Sequence, residues 1–190
     1  MYTALGSFFI ILSVSVVNAH VCTPGDVIAK ALEDAPNAQK LMRETPMTTF
    51  FLLYHSENNT FRSQYPCLRV ARSPFSTTDE VPMYYVYGYW HKNQLRWNIA
   101  SVQLNKTDEA YLHHNEFSVS IDHGGQVHNE VFQVIYTDYK HCILFWTSSL
   151  GYQVWVDSKY LKAKRKAPSL CSFLYELLAP GKRYVVYMWK

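Results

Sequence analysis

The groups of this chain that could do chemistry are fifteen carboxylates, eight histidines and four cysteines. His113-His114, His123 and His128 fall around turn-rich segments. Histidines that are adjacent or five apart, with no third ligand in register, rarely hold a metal ion, so solvated loops are the reading and no metal is expected. There is no G-x-S-x-G elbow and no H-E-x-x-H string. Cys22, Cys67, Cys142 and Cys171 contain no C-x-x-C pair. An even count in an exported chain reads as two disulfides, with three pairings open. Neither an enzyme nor a cofactor is expected, which leaves binding.

The carboxylates narrow what could be bound. A buried amine needs an anionic partner, because an unpaired charge in a dry cavity is costly. Almost all the acids fall in helices, turns or strand ends, and none in the middle of a predicted strand. Glu130, Asp138 and Asp157 are the strand-end acids that could still reach inward. The expected wall is therefore apolar, ring-lined and uncharged at mid-height. It suits a neutral small hydrophobic ligand such as a sterol, fatty acid or eicosanoid, with polar contacts from Tyr or Gln153. A biogenic-amine scavenger is the alternative. A filled barrel that acts only through its surface is the third.

These groups are positioned by elements with clear punctuation. Phe8 to Val17 is a ten-residue apolar run followed by Val17-Asn18-Ala19, so residues 1–19 read as a signal peptide and the product as secreted. The run is too short for a membrane span. Residues 20–190 suit one domain. The net charge of +3 is too small to imply a nucleic-acid partner. Asn58 and Asn105 head glycosylation sequons expected on loops. A helix is predicted over 27–35, capped by Thr23 or Asp26, and a short helical turn over 37–44.

From Met47 the apolar period becomes two. Eight strands are predicted, at 47–55, 65–72, 81–91, 95–104, 116–122, 131–138, 142–147 and 152–157. Aromatic residues, 16% of the chain, favour such pleated surfaces. Short turns between the strands predict an all-β fold with flanking helices: an eight-stranded antiparallel up-and-down β-barrel, with a sandwich as its competitor. The basic run Lys159, Lys162, Lys164, Arg165 and Lys166 could meet a sulfated glycan or acidic surface, and reads as a solvated linker. Residues 168–179 form the clearest helix, with Leu170, Phe173, Leu174 and Leu177 on one apolar face. Residues 184–189 read as a last extended strand.

Several strings together resemble the tick salivary lipocalins, the histamine-binding-protein family. They are Tyr65-Pro66-Cys67-Leu68-Arg69-Val70, His141-Cys142-Ile143-Leu144, Gly151-Tyr152-Gln153-Val154-Trp155, and the helix that begins at Pro168 and carries Cys171. The resemblance implies a lipocalin barrel with Cys142–Cys171 and Cys22–Cys67 disulfides. It also implies an inward face carrying Gln153 and Trp155, with neutral Gln153 where the family has an acid. Within the family the apolar wall points to the japanin-type, immunomodulatory, sterol-binding branch, with a host immune-cell or humoral target. A monomer is expected. Alternation leaves two faces open on each strand. The ligand-binding set expected is Phe51, Leu53, Tyr85, Tyr87, Trp97, Trp146, Gln153 and Trp155.

Overall fold

A computed structural model describes residues 36–45, 47–74, 83–109, 111–123 and 126–189. The expected signal peptide, the helix over 27–35 and Cys22 lie outside the described residues.

The chain runs α1 (Ala38–Glu44), β1 (Thr49–His55), α2 (Phe61–Gln64), β2 (Arg69–Arg72), β3 (Met83–His91) and β4 (Gln94–Asn105). It continues through β5 (Glu116–His123), β6 (Gln126–Thr137), β7 (Cys142–Thr147), β8 (Gly151–Asp157), α3 (Ser158–Lys164), α4 (Ser169–Leu178) and β9 (Tyr184–Val185). Strands β2 to β8 pair antiparallel in sequence order, and β1 pairs with both β8 and β2. This closes an eight-stranded barrel with no open edge among β1–β8. The far half of β1, beyond the end of its pairing with β2, is taken by β9, with Tyr54 opposite Val185 and His55 opposite Tyr184.

Local chemistry explains the punctuation. Lys92 and Asn93 both have positive φ, the geometry of a two-residue hairpin between paired His91 and Gln94. Asn37 caps α1 by accepting from the Lys40 N–H at 2.8 Å. Ala38 N–H then donates to His114 O, and Asn37 N–H to the Tyr139 hydroxyl, which fixes α1 across one end of the barrel.

Two apolar clusters result. One fills the barrel and includes Phe50, Leu52, Met83, Tyr87, Phe117, Phe145 and Trp155. The other lies outside, between β1, β7, β8 and the C-terminal helices, and includes Leu53, Tyr54, Leu144, Val154, Leu161 and Tyr175. A register shift between Leu52 and Tyr54 puts consecutive Leu53 and Tyr54 in this outer cluster.

Two helical expectations are corrected. The basic run is not a linker: Asp157 accepts from Tyr160 N–H and starts α3, which Arg165 ends in a left-handed cap. The apolar face of α4 is rotated by one residue. Cys171, Leu174 and Tyr175 are buried, whereas Leu170, Phe173 and Leu177 are 47%, 62% and 59% exposed. The Cys142–Cys171 disulfide and the Tyr54–Tyr175 edge contact at 4.7 Å decide which stripe faces the barrel.

Candidate functional site

The barrel encloses a cavity of about 250 Å³. Its floor is α1, which presents Leu41 and Met42, and its far end is overhung by Phe61 and Tyr65 from the β1–β2 connection. Rings make much of the wall. Phe117 and Phe132 stack at 5.5 Å, and Phe145 meets both edge-on at 5.4 and 5.6 Å. Phe61, Tyr65 and Tyr89 continue the rings at 4.9 Å steps. Such edge and offset contacts hold a fixed surface rather than a fluid one.

Polar groups on the wall are few. Trp155 Nε1 donates to Gln153 Oε1 at 3.0 Å, and Gln153 Nε2 donates to Thr147 Oγ1 at 2.9 Å. Thr147 Oγ1 also accepts the Leu150 N–H. Gln153 is thus a buried strut that ties β8 to the β7–β8 turn. Its neighbour across the sheet, His55, is fully buried against Tyr184 and Phe61. Burial pushes the imidazole pKa below its usual value and favours the neutral ring.

Tyr85 and Tyr87 also line the cavity, and burial raises both phenols to about 12. The Tyr87 hydroxyl is buried with no hydrogen-bond partner. An unmet buried hydroxyl costs about 1–3 kcal/mol. Tyr87→Phe should therefore stabilise the empty protein by about 1 kcal/mol, read as a higher urea midpoint. With folded pKa values above the unfolded value, both phenols lend stability below pH 10 that is lost as pH rises through about 12. Tyr87→Phe should flatten that alkaline loss. A midpoint that falls on substitution would show that the hydroxyl is already satisfied.

Among the described residues one carboxylate reaches the wall. Glu130 stands opposite Val119 on the inward face and lines the cavity. Its Oε1 accepts from Ser148 Oγ at 3.2 Å and Ser149 N–H at 3.1 Å. Of the three strand-end acids that could reach inward, Glu130 is the one in the cavity lining, beside the β7–β8 turn. β6 begins at Gln126, five residues before the predicted strand, because Gln126, His128, Asn129 and Glu130 disguise it as a polar loop. The other two strand-end acids are occupied locally. Asp138 Oδ1 accepts three backbone N–H groups, from Lys140, His141 and Cys142, and Asp157 caps α3.

Of the expected lining, Tyr85, Tyr87, Gln153 and Trp155 face the cavity. Phe51, Leu53, Trp97 and Trp146 do not, which corrects the reading of their strands. Phe51 packs on Tyr187 outside the barrel, and Leu53 lies under the helices. Trp97 and Trp146 are 50% and 40% exposed. Trp97 lies over Gly88, where an added Cβ would sit 2.6 Å from its ring. Both faces of β1 are apolar, so its alternation carried no sign. The missed wall residues Phe50, Phe117, Phe132 and Phe145 share the inward register with Tyr85 and Trp155, a signal that becomes readable only once one strand's face is known.

Cys142–Cys171 forms as expected. Cys67 is buried and has no disulfide partner among the described residues. Asn58 is exposed on the β1–β2 connection, whereas Asn105 Nδ2 donates to Ser118 Oγ at the end of β4. Among the described residues no three His, Cys, Asp or Glu are grouped to hold a metal ion, and no helix is long and apolar enough to cross a membrane.

Comparison with known proteins agrees with this geometry. The chain is similar in fold to AM182, solved as a serotonin complex, with a TM-score of 0.59 and 16% identity over 80% of this chain and 89% of that one. It is also similar to insecticyanin from the tobacco hornworm Manduca sexta, with a TM-score of 0.56 and 13% identity over 78% and 81% of the two chains. No match was found among curated protein sequences. The fold is that of the lipocalins. The sequence profile of the tick histamine-binding proteins matches residues 28–190, and the chain belongs to that family.

Proposed function

We propose that this chain is a secreted carrier or sequestering lipocalin that holds one compact, ring-bearing or aliphatic molecule inside its barrel and so modulates host defence. The observation that carries the reading is the barrel cavity of about 250 Å³, walled mainly by phenylalanine, tyrosine and aliphatic side chains. An apolar protein cavity of roughly 150 Å³ accepts benzene, so this one has room for about ten non-hydrogen atoms. That suits a fused bicycle or part of a fatty chain. A whole four-ring sterol would have to lift Phe61 and Tyr65 away from the mouth. Export is supported by the apolar run at 8–17 and by the disulfide. On this reading Asn58 carries a glycan, Asn105 must first release Ser118 to carry one, and Cys67 pairs with Cys22. The carrier acts as a monomer, without enzymatic chemistry.

A second reading, biogenic-amine binding, is favoured by one specific observation: Glu130 on the cavity wall. An ammonium placed there would gain a charge-assisted contact, and serotonin is the ligand in the AM182 complex. One experiment separates the two. Native mass spectrometry of the purified protein identifies any retained lipid, and calorimetry then measures a fatty acid, a sterol, serotonin and histamine. Retained lipid together with millimolar or weaker amine binding supports the apolar reading; an empty barrel that binds an amine below micromolar sinks it. In the amine case Glu130→Gln should cost about 2–5 kcal/mol, at least thirty-fold in affinity. A fatty acid should bind that variant unchanged.

A further inference from the structure

The rings that turned out to lie outside the barrel are joined into a line. Arg165 stands 5.8 Å from the Trp189 ring, Trp189 meets Tyr187 at 5.0 Å, and Tyr187 meets Phe51 at 5.1 Å. Arg69 then lies between Phe51 at 5.5 Å and Trp97 at 5.2 Å. Four rings and two guanidinium groups thus cross the outer wall from the end of α3 to the middle of β4. At the α3 end, Lys159, Lys162, Lys164, Arg165 and Lys166 are all exposed. Among the described residues none of the four lysines has a carboxylate within ion-pair distance.

The surroundings keep this line positive. No acidic residue occurs between Ser158 and Tyr175, nor anywhere in β2, β3 or β4. The nearest acids at the start of α3 are spent: Asp157 is buried as its cap and Asp138 holds backbone N–H groups. Leu161 anchors α3 from its buried side, which leaves its cations on the solvent side.

We propose that this strip binds a linear sulfated polysaccharide, with sulfates on the cations and the apolar faces of the sugars on Trp189 and Trp97. Charge complementarity selects a polyanion, and a single-file run of rings, with one guanidinium at its end and another between Phe51 and Trp97, selects a chain over a flat surface. The exposed Arg165 adds its charge to that of the lysines, whereas Arg69, half-buried between Phe51 and Trp97 with its Nε inside, contributes charge from deeper in the line. The site is on the opposite side of the barrel wall from the cavity, so both can be filled together. It would hold the carrier at a sulfated matrix while the barrel captures its ligand.

The test uses the full chain with heparin as the probe, unsulfated hyaluronan as one control and phosphatidylcholine vesicles containing one-fifth phosphatidylserine as the other. Heparin should bind at physiological salt, and the controls should not. A variant carrying Lys159→Gln, Lys162→Gln, Lys164→Gln and Lys166→Gln should lose at least ten-fold in affinity, with the slope of log affinity against log salt falling by about one per lysine. Trp189→Ala should weaken binding several-fold and leave that slope unchanged. Because the lysines are exposed, the thermal midpoint of the quadruple variant should match that of the parent; if it does not, Lys162→Glu alone must still lower heparin affinity. Equal binding to vesicles or hyaluronan overturns the proposal, as does undiminished heparin binding by the lysine variants.

Discussion

Replacing Cys142 and Cys171 together with alanine should lower stability by about 3–4 kcal/mol and the thermal midpoint by about 10 °C. The bond closes a loop with a sequence separation of 29, and the loop-closure relation then gives a loss of this size from the unfolded ensemble. Both cysteines are fully buried, so truncation also leaves small voids between β7 and α4. The effect should stay outside the barrel. Cys142 lies in the outer cluster, whereas Ile143 and Phe145 on the same strand line the cavity. Ligand affinity at low temperature should therefore change by no more than about two-fold while the unfolding midpoint drops. Differential scanning calorimetry with parallel calorimetric titration checks both parts. A midpoint shift below about 2 °C would mean that Leu174 and Tyr175 hold α4 without the covalent staple.

Gly151→Ala should cost about 2–5 kcal/mol. Gly151 opens β8 at φ +63°, a conformation that strains any side chain by about 1–2 kcal/mol. A Cβ there would also stand 2.2 Å from Ser56 Oγ and 2.9 Å from Glu57 Oε1. Ser56 has little freedom to give way: its hydroxyl accepts the Tyr152 N–H at 2.9 Å, and its own N–H donates to Tyr152 O. Overpacking of this kind adds about 1–3 kcal/mol. The two causes separate in a double-mutant cycle. In a Ser56→Ala background the clash is partly relieved while the backbone strain remains, so the penalty should fall toward about 1–2 kcal/mol. Equal penalties in both backgrounds would assign the whole effect to the backbone. Urea denaturation of the four proteins decides it.

Much of the architecture was legible because its cause is local. Alternating Tyr, Val, Phe and Trp between turn residues marks strands, and their short connections imply neighbours that pair in order. The direction of each face was not legible wherever both faces are apolar. Phe50 and Leu52 point inward and Phe51 outward, but the outward residue is paired with Tyr187, a partner 136 positions away, so burial on both sides erased the contrast. Trp97 misled for a related reason: it covers Gly88 from outside and carries Arg69 on its face, an exterior use of a residue type expected indoors. The buried stripe of α4 depended on a distant cysteine and on Tyr54. Glu130 was legible as a strand-end acid but not as a member of β6, because a strand with polar residues on both faces near a barrel rim has no apolar period to reveal it.

Ser149 joins two contacts whose functions are separate in sequence. Its carbonyl is gripped by Asn59 Nδ2 from the connection that overhangs the mouth, and its N–H is held by Glu130 from within. A cationic guest that claims Glu130 Oε1 must compete with that N–H and with the Ser148 hydroxyl. On the amine reading, a turn freed from one side would grip Asn59 less firmly, so recognising the guest's charge would loosen the same latch that confines it. Capture and residence time would then be linked through Ser149, whose N–H and carbonyl belong to successive peptide units.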